Sequence, residues 1–217
     1  MIIRSRFVVL LRELDPAATD RLSIGFVKRA HIFLTGYNLW TTLGTGDERL
    51  VEEKMILLEL EQSFQARDPK AIDPLMACYS TSATDLEAWR MFMFTLEEII
   101  VKHSGEIVPY YPKCSSFDAA LYSNMIKGVF ERPSMYFGSA SLTYFTLFIK
   151  GLCEAERRHA DNLTIGNQWR SFDAWRKKVS DSYPNCEWSG AKLLEANFDE
   201  ARAFDILKND YNLWLSS

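Results

Sequence analysis

The chain has 217 residues, of which 47% are hydrophobic and 25% are charged. This is long enough to bury the core of one large domain or two small ones, and the composition excludes disorder over most of the length. The net charge of −4 argues against a general nucleic-acid binder.

The first part of the chain, residues 1–103, is predicted to be a helical region. Asp15 followed by Pro16 is typical of a helix start, and the helix is expected to run to about Trp40. A second helix is predicted in "GDERLVEEKMILLELEQSF". Thr84 and Glu87 form a capping-box pattern that opens a third, whose buried side is predicted to be Leu86, Trp89, Met93, Leu96 and Ile100. The run "RFVVLL" at residues 6–11 fits either a strand or the start of a helix.

Residues 104–116, "SGEIVPYYPKCSS", are predicted to form a linker. They contain two prolines and a glycine, and they show no helical period. Residues 117–217 then form a second helical region. The sequence therefore predicts an all-α, or nearly all-α, protein with two helical halves packed together.

The second half shows four further helix patterns. One ends before Pro133, because a residue that precedes proline is disfavoured in the α conformation. The next begins near Leu142 and is apolar on most sides, so it is expected to be central to its domain. The third helix is predicted to bury Trp169, Phe172, Trp175 or the stem of Arg176, Val179 and Tyr183. The fourth is predicted to bury Phe204, Leu207, Tyr211 and Trp214. Asn197 with Glu200 is predicted to cap the start of the fourth helix.

The most distinctive segment is the turn that runs from Arg132 to Gly138. Pro133 breaks the preceding helix and Gly138 permits a positive φ, while Ser139 or Ser141 can cap the next helix. Met135 and Tyr136 are expected to pack between two helices. The alternative is that the N-terminus of the next helix binds an anion. We favour the structural interpretation.

The turn resembles the Arg-Pro-Gly-Met-Tyr-Ile-Gly segment in the ATP-binding domain of the DNA gyrase B subunit and its relatives. That resemblance implies a nucleotide-binding enzyme with a Glu-x-x-x-Asn pattern in the following helix and an Asp-x-Gly-x-Gly box. Here Glu156 is followed four residues later by Ala160, and the box is absent. Because these two features of the nucleotide site are missing, a gyrase-B-like enzyme is only the alternative function.

A second resemblance covers about residues 115–217. The chain is similar to bacterial immunity proteins of polymorphic or contact-dependent toxin systems of the Arg-Pro-x-Met-Tyr-x-Gly type. The matching features are Arg132 to Gly138, Phe148 to Gly151, Phe172 to Trp175, Trp188, and Glu200 to Phe204. The resemblance implies an immunity protein that binds a cognate toxin, such as a nuclease, and occludes its active surface. A helical scaffold or regulatory module is a further alternative.

An acidic segment is the candidate surface for such a partner. Residues 1–112 carry 16 acidic and 12 basic side chains, so the whole excess of negative charge lies there. An acidic surface would speed association with a basic cleft. The candidate partner-binding residues are Asp47, Glu48, Glu52, Glu53 and Glu59; the alternative is an ordinary solvated helix face.

No catalytic, metal or membrane pattern is present in the sequence. The histidines His31, His103 and His159 are far apart, and adjacent glutamates such as Glu97 and Glu98 diverge by about 100° on a helix. The four cysteines form no Cys-x-x-Cys pair, and Cys153 lies among apolar residues as a buried free thiol would. We predict a protein that is not an enzyme, needs no cofactor or metal, contacts neither nucleic acid nor membrane, and is cytoplasmic with reduced thiols.

Overall fold

The structure, a computed structural model, describes residues 26–43, 58–60, 62–63, 74–102, 119–179 and 182–217. These ranges contain helices and no β-strand, which confirms the all-α prediction. None of the described helices is long and apolar enough to cross a membrane. The run at residues 6–11 and the predicted linker at 104–116 lie outside the described residues. The helices are α1 (Phe26–Leu43), α2 (Pro74–Thr81), α3 (Asp85–Lys102), α4 (Ala119–Glu131), α5 (Pro133–Phe137), α6 (Leu142–His159), α7 (Thr164–Val179), α8 (Trp188–Glu195) and α9 (Glu200–Leu215).

The chain divides into two compact units. The first comprises residues 1–31 and 45–112, and the second comprises residues 32–44 and 113–217. Residues 32–44, which the sequence groups with the N-terminal region, pack with the second unit.

In the first unit, the start of α3 follows the predicted capping box. Thr84 Oγ1 accepts a hydrogen bond from the Glu87 backbone N–H (3.2 Å), and the Glu87 carboxylate accepts one from the Ala83 N–H (3.1 Å). Trp89 and Leu96 are buried as predicted, whereas Met93 is only half-buried. Local capping chemistry therefore located this helix start correctly.

In the second unit, α6 is the central helix. Its predicted stripe is buried throughout: Leu142, Phe145, Ile149 and Leu152. The Phe145 ring lies between 4.9 and 6.3 Å, centroid to centroid, from four other rings, which belong to Phe130, Trp169, Trp188 and Phe204. Because each aromatic side chain buries about 150–250 Å², this cluster supplies much of the apolar burial in the unit.

Two predictions about the helices around α6 are wrong in detail. Val179 is 64% exposed, and Tyr183 lies beyond the end of α7. Of the two predicted alternatives Trp175 and Arg176, Arg176 is the buried one, since its guanidinium is bonded to Asp173 and donates to the Cys186 carbonyl oxygen (2.7 Å) in the loop after the helix.

The cap of α9 also differs from the prediction. The N-cap residue is Asp199, whose carboxylate accepts from the Arg202 N–H (3.0 Å), and not Asn197. The apolar side of α9 is otherwise as expected: Phe204, Leu207 and Tyr211 are buried and Trp214 is half-buried.

Residues 32–44 belong with the second unit because α1 and α6 cross at a pair of glycines. A Cβ atom on Gly151 would overlap the Phe33 carbonyl oxygen, and one on Gly36 would overlap the Phe148 carbonyl oxygen. The two backbones are thus in direct contact, which only glycine permits. We call this contact the glycine crossing.

Candidate functional site

The turn between α4 and α6 forms the short helix α5, with Pro133 at its first position. Gly138 ends it with φ of 79° and donates its N–H to the Ser134 carbonyl oxygen (3.1 Å). The Ser141 side chain then caps α6 by accepting from the Tyr144 N–H (3.3 Å). Of the two candidate serines, Ser141 is therefore the cap.

The two side chains expected to pack inside this turn behave differently. The Tyr136 ring is half-buried and lies edge-on to Phe148 at 5.8 Å between centroids. Met135, in contrast, is 71% exposed, so it does not pack between two helices. Phe137 takes the interior position, since it is buried and its ring lies 6.4 Å from that of Phe204. Met135 is thus the large apolar residue that the turn presents to solvent.

The N-terminus of α6, which was the candidate anion site, is occupied by a carboxylate of the chain itself. Glu200 Oε2 accepts from the Thr143 N–H (2.8 Å) and from Ser141 Oγ (3.0 Å), and Glu200 Oε1 accepts from Thr143 Oγ1 (2.5 Å). The negative charge is stabilised there by the unpaired N–H groups and the helix dipole. This contact spans nearly sixty residues of sequence and joins the start of α9 to the start of α6.

Glu156, at the position of the catalytic glutamate in the gyrase-like pattern, has a similar structural role. It is fully buried, and its two carboxylate oxygens accept from the N–H groups of Ile165 (2.8 Å) and Gly166 (3.0 Å) at the start of α7. Burial raises the pKa of this carboxyl, although the backbone hydrogen bonds at Ile165, Gly166 and Thr164 act in the opposite direction. Glu156 therefore serves as a cap supplied by the preceding helix.

His159 is also integrated into the core of the second unit. It is 3% exposed, its Nε2 atom shares a hydrogen bond with the Tyr37 hydroxyl (2.7 Å), and its ring stacks on Trp40. His31 lies in the first unit and His103 is outside the described residues.

The thiol of Cys153 is poorly suited to nucleophilic chemistry. Cys153 is a free cysteine, half-buried on α6, and burial raises its pKa to about 12. The thiol is therefore protonated near neutral pH. Among the described residues, no group of three or more His, Cys, Asp or Glu side chains could hold a metal ion.

The turn between α8 and α9 contains a second unusual side chain. Asn197 and Phe198 have φ values of 53° and 63°, so two consecutive residues adopt the left-handed conformation. The Phe198 N–H donates to the Leu193 carbonyl oxygen (2.7 Å) and the Asn197 N–H to that of Leu194 (3.1 Å), which is the Schellman pattern of helix termination. Asn tolerates this conformation, but a bulky residue rarely does. Phe198 is also 72% exposed.

Met135 and Phe198 lie at the same end of the second unit. Phe198 precedes Glu200 by two residues, and the Glu200 carboxylate is bonded to Ser141 and Thr143 at the start of α6. Met135 lies six residues before Ser141, on α5, whose Phe137 packs on Phe204 of α9. We call this region the Met135–Phe198 end. Phe198 is not among the residues predicted from the sequence; the available signal was a large aromatic residue in the short "NFD" connection between two helices.

The acidic candidate residues are mostly outside the described part of the chain. Asp47, Glu48, Glu52 and Glu53 lie there, so their prediction is not tested. Glu59 is described: its side chain is 24% exposed, and Oε2 is paired with Lys102 Nζ at 3.2 Å. Glu59 thus has a local partner in the first unit.

No protein family, curated protein or solved structure was found to match this chain.

Proposed function

We propose that the protein is an immunity protein that binds a cognate bacterial toxin and blocks its working surface by contact alone. The proposal is supported by the Arg-Pro-x-Met-Tyr-x-Gly resemblance, whose key residues are Arg132, Pro133, Met135, Tyr136 and Gly138. In this proposal the protein acts in the cytoplasm, and inhibition involves no cofactor and no chemical step.

One observation carries the proposal beyond resemblance: the motif itself presents Met135 to solvent. Within the motif Met135 is 71% exposed, whereas Phe137, two residues later, is buried. Met135 and Phe198 are both large, exposed apolar side chains, and such side chains contribute to binding when a partner removes them from water.

The nucleotide-binding alternative is less well supported by the same region. In that alternative, the N-terminus of α6 after Gly138 would face phosphate groups. Glu200 already supplies a carboxylate there, and an added phosphate would be repelled by it.

The acidic segment is proposed to contribute to the rate of encounter. Asp47, Glu48, Glu52, Glu53 and Glu59 would attract a toxin with a basic cleft, such as a nuclease. Because exposed charges act mainly on association, their contribution would be sensitive to salt.

The test is neutralisation of the toxin domain of the protein encoded immediately upstream. That domain is expressed in a bacterial host from an inducible promoter, with and without this chain, and growth is followed. We expect arrest without the chain and growth with it, together with a stable complex of the two purified proteins. An upstream product that is harmless, or toxicity that the chain does not relieve, would refute the proposal.

A further inference from the structure

We propose that the Met135–Phe198 end is the surface that docks the toxin, and that the partner offers an apolar pocket bordered by charges of both signs. The inference rests on the proposed immunity function and names the contact that would perform it. It replaces the acidic segment as the main source of affinity and leaves that segment a role in association.

Both side chains are held by a fixed backbone. Gly138 closes α5 after Met135 through its bond to Ser134, and the Schellman bonds hold the backbone at Phe198. The Glu200 carboxylate then ties the two segments together through Ser141 and Thr143. A preorganised pair of anchors binds more tightly than a mobile pair, because less conformational entropy is lost on binding.

Phe198 adopts a backbone conformation that is unfavourable for a bulky residue. A non-glycine residue in the left-handed region costs about 1–2 kcal/mol, and the exposed ring gives little burial in return. Glycine would satisfy the same Schellman turn without this cost. Such strain at an exposed aromatic residue indicates a role outside the fold of this chain, and contact with a partner is the role that uses the ring.

The charged residues next to the two anchors in sequence point to the class of partner. The exposed ones within four positions of either anchor are Glu131 and Asp199, which are acidic, and Arg132 and Arg202, which are basic. Nucleic acid and anionic membranes require an excess of positive charge, and these four residues supply none. A folded protein surface with an apolar centre and a mixed polar rim is the matching partner.

The experiment measures binding of the purified upstream toxin domain to the full chain by biolayer interferometry, with the double variant Met135→Ala/Phe198→Gly. Phe198→Gly removes the ring and the backbone strain together, so we expect the melting temperature of the Phe198→Gly variant to equal or exceed that of the unaltered chain. The matched control is Leu213→Ala. Leu213 is 60% exposed and lies about 20 Å along α9 from its start.

We expect the double variant to weaken binding at least tenfold, mainly through faster dissociation, to lose protection of growth, and to remain folded. The control should bind as the unaltered chain does. If the unaltered chain neutralises the toxin and the double variant binds within twofold of it, this inference fails while the proposed function stands. If the unaltered chain does not bind the toxin, the function fails and the inference fails with it.

Analytical ultracentrifugation of the chain without toxin tests the other occupant. Self-association that is lost in the double variant would assign this end to a second copy of the chain and overturn the inference.

Discussion

The glycine crossing and the Met135–Phe198 end belong to the same unit and use residue size in opposite ways. At the crossing, Gly36 and Gly151 have no side chains because two helix backbones are in contact. At the end, two large apolar side chains are exposed on turns that would accept smaller residues. The contrast teaches that the interior of this unit limits what its residues can be, whereas the end carries side chains that the fold itself does not need.

The largest expected effect comes from breaking the crossing with Gly151→Ala. The added methyl group would overlap the Phe33 carbonyl oxygen and lie 2.9 Å from the Tyr37 backbone nitrogen, so the helices must separate. We expect a loss of about 3 kcal/mol or more in the free energy of unfolding, measured by denaturation in urea. Gly128→Ala is the matched control, since its Cβ would approach nothing closer than the Tyr136 hydroxyl at 3.7 Å; there a helical glycine should gain about 0.5–1 kcal/mol. Equal stabilities of the two variants would contradict the direct backbone contact.

A smaller effect is expected where the end is tied to the bundle. Glu200→Ala removes the hydrogen bonds at Ser141 and Thr143 and leaves the start of α6 without its carboxylate. We expect a loss of about 1–3 kcal/mol in the free energy of unfolding. The control is Glu187→Ala, because Glu187 occupies the N-cap of α8 without a side-chain cap bond; there the change should stay within about 0.5 kcal/mol. A loss at Glu187 as large as that at Glu200 would argue against the cap.

The contrast between anchors and charges can be sharpened with the toxin-binding assay. Reversing charge with Glu52→Lys and Glu53→Lys should slow association about tenfold at low salt. The difference should fade above physiological salt, since exposed charges are screened. The double variant at Met135 and Phe198 should instead alter dissociation at every salt concentration. Association that is unchanged in the charge-reversed variant would remove the acidic segment from the encounter.

The smallest expected effect is a change in how stability depends on pH. The raised pKa of Glu156 means that the folded state binds a proton more tightly than the unfolded state. Its contribution to stability is therefore complete below the ordinary glutamate pKa and is lost as the pH rises through the raised value. Glu156→Gln should flatten this decline in the free energy of unfolding, measured by urea titrations from about pH 4 to about pH 8.

Glu154 provides the contrast for that measurement. Burial alone would raise its pKa, but hydrogen bonds from Arg157 and Arg158 outweigh burial and lower it. Its stability contribution is present above the ordinary glutamate pKa and is lost as the pH falls through the lowered value. Glu154→Gln should therefore leave the decline at higher pH intact. If the Glu156→Gln variant kept the full decline, the raised pKa would be assigned to the wrong group.

The interior of the second unit could be read well from local pattern. The stripe on α6, the end of α4 before Pro133 and the buried side of α9 depend on helical periodicity and proline sterics, which act over a few residues. The same rules failed at Val179 and Tyr183, because α7 ends at Val179, which is 64% exposed, and the period cannot be extended beyond the helix end.

The candidate site was less accessible to sequence reasoning. Arg132, Pro133 and Gly138 were recognised as a turn, and Ser141 as a possible cap, since each acts on neighbouring backbone. The exposure of Met135 could not be read, because burial depends on which elements pack against a turn. Phe198 was missed for a related reason: its conformation follows from hydrogen bonds to the last turn of α8.

The sequence by itself determined that the described residues are helical, that α4 ends before Pro133 and that α6 begins at Leu142, because capping and periodicity are local properties. Only the tertiary structure decided that Glu200 occupies the start of α6, that Gly36 lies against the Phe148 backbone and Gly151 against the Phe33 backbone, and that Met135 and Phe198 lie at one end. Each of these joins residues far apart in the chain. Such contacts are set by how helices pack against one another, which no short stretch of sequence contains.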